Sequence, residues 1–183
     1  MRLLVSLTFC LLLTSLSSCT NSSSKGNKPG HFDDAVSYND YIIQRQGKII
    51  NHILAVASQV GTDLDSAEAL LGKGVLITDS ALAQVGAMAP YQGDTTFRNR
   101  ALGNFHFYRR LFTSDYRKII AINRKGETAT EADIEAIQSI QENLEAEEAE
   151  LDKLLSNAQS DFAKRNKMPL LENDVQKKID SVQ

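Results

Sequence analysis

The sequence predicts an all-α protein built as an antiparallel up-down-up-down four-helix bundle. Apolar residues recur at spacings of three and four along four segments between residue 32 and about residue 165, which is the period of helices with one buried face. Only three prolines and ten glycines occur among the 183 residues, so few residues interrupt these segments. Short connections between long helices favour antiparallel packing of consecutive helices.

The first two predicted helices are joined by a short connection. The first covers about residues 33–60, and the second covers about residues 65–89 and stops at Pro90. Gly72 and Gly74 lie inside the second helix, where glycine weakens helical structure. We therefore expect a kink or a break at these glycines.

The third and fourth predicted helices are longer and differ in their buried stripes. The third covers about residues 95–124 and carries a largely aromatic stripe, which consists of Phe97, Ala101, Phe105, Tyr108, Phe112, Tyr116 and Ile119. The fourth opens at Thr128 and Glu131, which have capping-box spacing, and continues to about residue 165. Its apolar residues form a heptad seam that is interrupted by Gln141 and Glu148. A coiled-coil dimer through this helix is the alternative arrangement.

Charge separates the third helix from the fourth. Residues 97–125 carry eight Lys or Arg and one Asp, whereas residues 127–161 carry eleven Asp or Glu and one Lys. Opposite charges favour these two helices as neighbours, although each exposed pair contributes only about 0–1 kcal/mol. The whole chain has a formal net charge of −3, so we do not expect it to bind nucleic acid.

Residues 1–18 have the features of a secretory signal peptide. A basic start at Arg2 precedes a nearly unbroken apolar run, and two serines follow it. The ending Leu16-Ser17-Ser18-Cys19 resembles the lipobox of bacterial lipoproteins. The resemblance implies cleavage before Cys19 and acylation of that cysteine, which would anchor the protein in a membrane. The alternative is an ordinary leader with an incidental cysteine.

Two segments flank the predicted bundle, which covers residues 32–165. Residues 19–31 contain the cysteine and a Gly- and Ser-rich stretch, which predicts a flexible tether. Thr20 resembles the residue that permits sorting to an outer membrane, so we expect that location, on the periplasmic or the surface face. Residues 166–183 are expected to be a short helix or disordered.

The sequence shows no catalytic or metal-binding signature. None of the three histidines follows a glutamate at the three-residue spacing of di-iron helical bundles. Both cysteines lie within the first nineteen residues, and no Gly-x-Ser-x-Gly motif occurs. We therefore expect no catalytic residue, no metal and no cofactor.

Four polar residues fall on the predicted apolar faces of the first and fourth helices. Asn39 and Gln46 lie seven residues apart on the first, and Gln141 and Glu148 have the same spacing on the fourth. Buried polar groups need partners, so these side chains could meet in the interior and line a cavity for a small ligand. The alternative is that they set helix register or lie at the rim of the core.

A row of basic residues lies opposite the apolar face of the third predicted helix. It consists of His106, Arg110, Arg117 and Arg124, and it could contact anionic headgroups, glycan phosphates or an acidic partner. The alternative is a solvated face that is paired with the acidic fourth helix.

The stretch Val36-Ser37-Tyr38-Asn39-Asp40, which continues to Gln46, resembles the opening helix of a group of uncharacterised bacterial surface lipoproteins. The resemblance implies a helical bundle and assigns no catalytic residues.

Taken with the lipobox and the tether, the patterns predict a lipid-anchored protein of the bacterial cell envelope. We expect it to be a non-enzymatic interaction or structural module, with an envelope protein or glycan as its partner. The alternative is a carrier that binds a small ligand inside the bundle.

Overall fold

The computed structural model describes residues 30–169, and this part of the chain is a bundle of helices. The α-helices are α1 (Ala35–Val60), α2 (Leu64–Gly86), α3 (Thr96–Arg110), α4 (Tyr116–Asn123) and α5 (Glu131–Arg165). A π-helical segment, Leu111–Asp115, joins α3 to α4, so these two helices form one rod in place of the third predicted helix. The prediction of an all-α helical bundle is confirmed.

Contacts between neighbouring helices run in opposite directions along the chain. Arg45 on α1 donates a hydrogen bond to Gln84 near the end of α2, at 2.9 Å. His52, about two turns farther along α1, has its Nε2 atom 2.8 Å from the carbonyl oxygen of Leu70, which lies nearer the start of α2. Contacts of the α3–α4 rod with α5 show the same reversal: Asn104 contacts Asp152, and Arg110 contacts Glu147. Lys125, just after the end of α4, contacts Asp133 near the start of α5. These contacts place α1 antiparallel to α2, and the α3–α4 rod antiparallel to α5.

The helices α1 and α5 meet through side chains that fill the space between them. The main neighbours of α1 are α2 and α3, and those of α5 are α3 and α4. Near the start of α1, Tyr38 stacks on Phe162 with ring centroids 5.4 Å apart. Phe32, Tyr91 and Phe97 complete this aromatic layer, with ring contacts of 5.3–5.5 Å to Tyr38 or Phe162. Large aromatic rings thus bridge α1 and α5 at one end of the bundle.

The second predicted helix does not break at its glycines. The helix α2 is continuous from Leu64 to Gly86. Gly74 is buried, and a Cβ atom added there would lie 2.7 Å from ring atoms of Phe112, whereas nothing lies near Gly72. The glycine at position 74 therefore permits close packing of α2 against the π-helical segment.

The start of α5 also differs from the predicted capping box. Thr130 caps the helix: its side chain accepts a hydrogen bond from the Asp133 backbone, and Asp133 accepts one from the Thr130 backbone. Thr128 instead ends a short 3₁₀ turn, Gly126–Thr128. The capping box is therefore shifted by two residues from the predicted one.

Among the described residues, no helix is both long enough and apolar enough to cross a membrane.

Candidate functional site

Polar side chains lie inside the bundle at two levels between α1, α3 and α5. The first level is a pair of amides, Asn39 on α1 and Gln159 on α5. The second level lies about two turns of α1 away from the first, and we name it the carboxylate cluster. It consists of Gln46 on α1, Asn104 and Tyr108 on α3, and Glu148 and Asp152 on α5.

The amide pair bridges α1 and α5 directly. Gln159 Nε2 donates a 2.8 Å hydrogen bond to Asn39 Oδ1, and Asn39 Nδ2 donates to the Asp40 carboxylate at 3.1 Å. Asn39 is fully buried, and Gln159 is 6% exposed. Because a buried amide that lacks a partner is costly, this pair favours one alignment of α1 against α5.

Two acidic residues, one turn apart on α5, form the centre of the carboxylate cluster. Glu148 and Asp152 are each half-buried. Asn104, only 1% exposed, lies on α3 and donates a 2.8 Å hydrogen bond from Nδ2 to Asp152 Oδ1. Gln46 on α1 is buried as well, and its side chain interacts with Tyr108. Three helices thus contribute polar groups to this site.

Burial shifts the protonation equilibria in the carboxylate cluster. Desolvation, together with the negative charges of Asp152 and Glu145, raises the pKa of Glu148 to about 7. Desolvation also raises the pKa of Asp152 to about 6, and the hydrogen bond from Asn104 opposes that rise. The pKa of Tyr108 is raised by burial and then by the two carboxylates. At neutral pH the cluster therefore holds buried negative charge that is close to being protonated.

The cluster contains acceptors that no donor satisfies. Glu148 Oε1 and Asn104 Oδ1 are both buried and lack a hydrogen-bond partner within the described chain. None of the ion pairs among residues 30–169 involves Glu148 or Asp152. The two carboxylates can therefore take up a proton near neutral pH, and no cation within the described residues pairs with them.

The four residues predicted to line a cavity do not form one site. Asn39 belongs to the amide pair, whereas Gln46 and Glu148 belong to the carboxylate cluster. Gln141 is half-buried on α5, two helical turns or about 10 Å from Glu148, and joins neither group.

Two pockets of about 330 and 400 Å³ lie near the start of α1, away from the carboxylate cluster. Gly30, Tyr38 and Tyr91 are among the residues that line the first. Ala35, Asn166 and Met168 are among those that line the second.

Two members of the predicted row of basic residues form ion pairs with two different helices, α5 and α2. Arg110 donates to both Glu147 carboxylate oxygens on α5, at 2.9 and 2.6 Å. Arg124 instead pairs with Asp65 and Glu68 of α2, at 2.6 and 2.8 Å. The π-helical segment between these arginines adds to the length of a turn and rotates the residues that follow. His106 and Arg117 are exposed, and the four residues do not share one free surface.

The first part of α5 carries negative charge that the bundle leaves largely unpaired. Residues 131–150, here named the acidic segment, contain eight Asp or Glu and no Lys or Arg. Within the described chain only Asp133, bound to Lys125, and Glu147, bound to Arg110, form ion pairs. Ile134 and Ile137 lie on this segment, are half-exposed, and are not among the residues that pack against the core.

Sequence reasoning overlooked Asn104, Asp152 and Gln159 as members of the site. A signal existed for Asn104, because it lies three residues after Ala101 and four before Tyr108 on the predicted aromatic stripe. Asp152 likewise lies four residues after Glu148, a spacing that places both on one helix face.

Residues 30–169 contain no group of three or more His, Cys, Asp or Glu side chains that could hold a metal ion. Cys19, the predicted leader and the tail from residue 170 lie outside the described residues. Comparison of the chain with protein-family models, curated proteins and solved structures gives no significant match.

Proposed function

We propose that this chain is a lipid-anchored protein of the bacterial cell envelope and that its helical bundle is a non-enzymatic interaction module. The anchor is supported by the lipobox-like ending at Cys19 and by the polar tether that follows it. The likeness of the stretch from Val36 to Gln46 to surface lipoproteins supports the same proposal, and Thr20 favours the outer membrane as its location.

The observation that carries the interaction function is the acidic segment of α5. Within residues 30–169, five exposed carboxylates of the segment form no ion pair: Glu131, Glu135, Glu142, Glu145 and Glu150. The half-exposed Ile134 and Ile137 lie among them. Apolar side chains flanked by unpaired charge are typical of a surface that binds a partner of opposite charge. The partner of this segment is therefore a basic envelope protein.

Photo-cross-linking in the native host tests the interaction function. Gln138 is exposed between Glu135 and Glu142 on one face of α5, so a photoreactive residue placed there would contact the partner. A matched control carries the same residue at Lys73, which is exposed on α2. We expect a discrete adduct at position 138 and none at position 73.

Charge reversal then separates a specific surface from a random encounter. Glu135→Lys with Glu142→Lys should reduce the position-138 adduct by about fivefold or more, because each lost charge pair contributes up to about 1 kcal/mol. Adducts that are equal at both positions, or that persist after charge reversal, would contradict the interaction surface. An adduct of two copies of this chain would replace it with the coiled-coil dimer through α5.

A second candidate function is the carriage of a small ligand inside the bundle. The specific observation in its favour is the buried pair of unsatisfied acceptors, Glu148 Oε1 and Asn104 Oδ1. Native mass spectrometry of the protein from its own host tests this function. A stoichiometric additional mass is expected, and a bare chain would count against a carrier.

A further inference from the structure

The two parts of α5 are held in the bundle to different extents. Between residues 131 and 154 only Leu144 is buried, while Ile140 and Leu151 are partly buried against the core. The shorter stretch that follows contains five buried side chains, namely Leu155, Ala158, Gln159, Phe162 and Ala163. Because burial of apolar surface supplies most of the stability of a helix in a bundle, the first part of α5 is attached less firmly than the second.

The carboxylate cluster lies at the boundary between these two parts. Besides its few apolar contacts, the acidic segment is held to the α3–α4 rod by two partly exposed ion pairs, which join Arg110 to Glu147 and Lys125 to Asp133. Ion pairs of this kind contribute little to stability. The attachment of the acidic segment therefore depends strongly on the state of the cluster.

Asn104 on α3 shows which hydrogen bond the cluster lacks. Its Nδ2 atom donates to Asp152 Oδ1 at 2.8 Å, whereas its Oδ1 atom is buried and receives no hydrogen bond within the described chain. An ionised carboxylate only accepts hydrogen bonds, but a protonated carboxyl group also donates one. A proton on Asp152 would therefore supply the missing donor, so that the amide and the acid each donate once to the other. A proton requires no cavity at this buried position.

Glu148 makes the same contact sensitive to ionisation. Its Oε1 atom is buried without a donor, and its carboxyl group lies one helical turn before that of Asp152. None of the cations within residues 30–169 forms an ion pair with either residue. When both carboxyl groups are ionised, the contact therefore contains two charges that repel each other in a partly dehydrated site.

We propose that the carboxylate cluster is a pH-dependent contact that holds the acidic segment of α5 against α3 and α4 when it is protonated, and releases that segment when it is ionised. The end of α5 stays in the bundle in both states. This inference concerns the chain alone and does not rest on the partner proposed for the acidic segment. If a proton satisfies Asn104 Oδ1, the cluster requires no small ligand, and native mass spectrometry should find a bare chain.

The pH range follows from the groups that face the cluster. Besides the two carboxyl groups, these are Glu145 on α5, Tyr108 on α3, Tyr116 on α4 and the uncharged Gln46 on α1. Burial raises the pKa of both tyrosines, so they stay neutral. It also raises the pKa of Glu148 from 4.5 to about 7 and that of Asp152 from 3.8 to about 6. The attached state therefore loses stability as the pH rises from about 4.5 to about 7.

Hydrogen–deuterium exchange of the purified full chain in detergent tests the proposal at pH 5 and pH 8, after correction for the intrinsic effect of pH on exchange. A released helix of this length has little stability of its own, so its amides lose protection. Each unit of pKa difference between the attached and released states changes their ratio about tenfold. The protection of residues 135–147 should therefore fall about tenfold or more. At pH 8 these amides should exchange before those of residues 155–165.

Two double variants locate the effect. Glu148→Gln with Asp152→Asn introduces amides, which donate hydrogen bonds as the protonated acids do. It should keep at pH 8 the protection that the wild type has at pH 5. Glu135→Gln with Glu142→Gln removes the same charge from exposed positions of α5 and should behave like the wild type.

Three results would overturn the proposal. Residues 135–147 could be equally protected at both pH values, both parts of α5 could exchange together at pH 8, or the first variant could still lose protection between pH 5 and pH 8. None of these measurements involves a partner, so the cross-linking at position 138 succeeds or fails separately.

Discussion

Replacement of Glu148 by glutamine probes the carboxylate cluster most simply, because it removes the charge and keeps the shape. Burial raises the pKa of Glu148 from 4.5 to about 7. Ionisation therefore costs the folded state free energy that the unfolded chain does not lose. This cost is small below about pH 4.5, develops as the pH rises, and is complete above pH 7. Glu148→Gln should accordingly stabilise the protein above pH 7.

The size of the effect follows from the shift in pKa. Each pKa unit corresponds to about 1.4 kcal/mol, so the full shift would correspond to about 3 kcal/mol. Because Glu148 remains partly exposed, solvent screening reduces this to about 1–2 kcal/mol. For a chain of this length, that is a rise in Tm of about 4 °C.

Circular dichroism melts provide the measurement. Wild-type and Glu148→Gln proteins should differ by about 4 °C near pH 8 and by much less near pH 4.5. Glu142→Gln, at an exposed position on the same helix, should leave Tm nearly unchanged at both pH values. A variant that is destabilised near pH 8 would refute the reasoning, because ionised Glu148 would then have a favourable partner.

Three further predictions concern the bundle itself, and urea unfolding measures each of them. Asn39→Leu or Gln159→Leu removes the buried hydrogen bond between the two amides and should cost about 1–3 kcal/mol, whereas the double variant should cost less than the sum of the two. Gly74→Ala places a Cβ atom against an aromatic ring and should cost about 1–3 kcal/mol, while Gly72→Ala, in open space, should stabilise by up to about 1 kcal/mol. Thr130→Ala removes the cap of α5 and should cost about 1 kcal/mol. Equal effects at the two glycines, additive amide variants or a silent cap variant would each contradict the packing described above.

The helices could be predicted from the sequence because their buried faces repeat at helical spacing. The predicted stripe through Phe97, Phe105 and Phe112 is buried in the structure, since one buried face is all that a repeat of three and four requires. That repeat does not show which helix covers a given face. The contact of Asn39 with Gln159 depends on how α1 packs against α5. Residue spacing within one helix therefore cannot predict this pair.

Two local signals were overridden by tertiary contacts. The intrinsic effect of Gly74 is to weaken a helix, but the ring of Phe112 occupies the space beside it and α2 continues. The prediction that Arg110 and Arg124 lie in one row is valid only for a uniform α-helix. The π-helical segment between them rotates Arg124 away from that row. Neither the packing against Gly74 nor the change in helical pitch is encoded in the local spacing of residues.

The anchor at Cys19 is the claim on which the envelope function depends, and intact mass spectrometry of the protein from bacterial membranes tests it most directly. We expect a chain that begins at Cys19 and carries acyl groups, and we expect Cys19→Ser to lose both the acylation and the cleavage. An unmodified chain that retains the leader, or one that is cut at another residue without acylation, would contradict the lipid anchor.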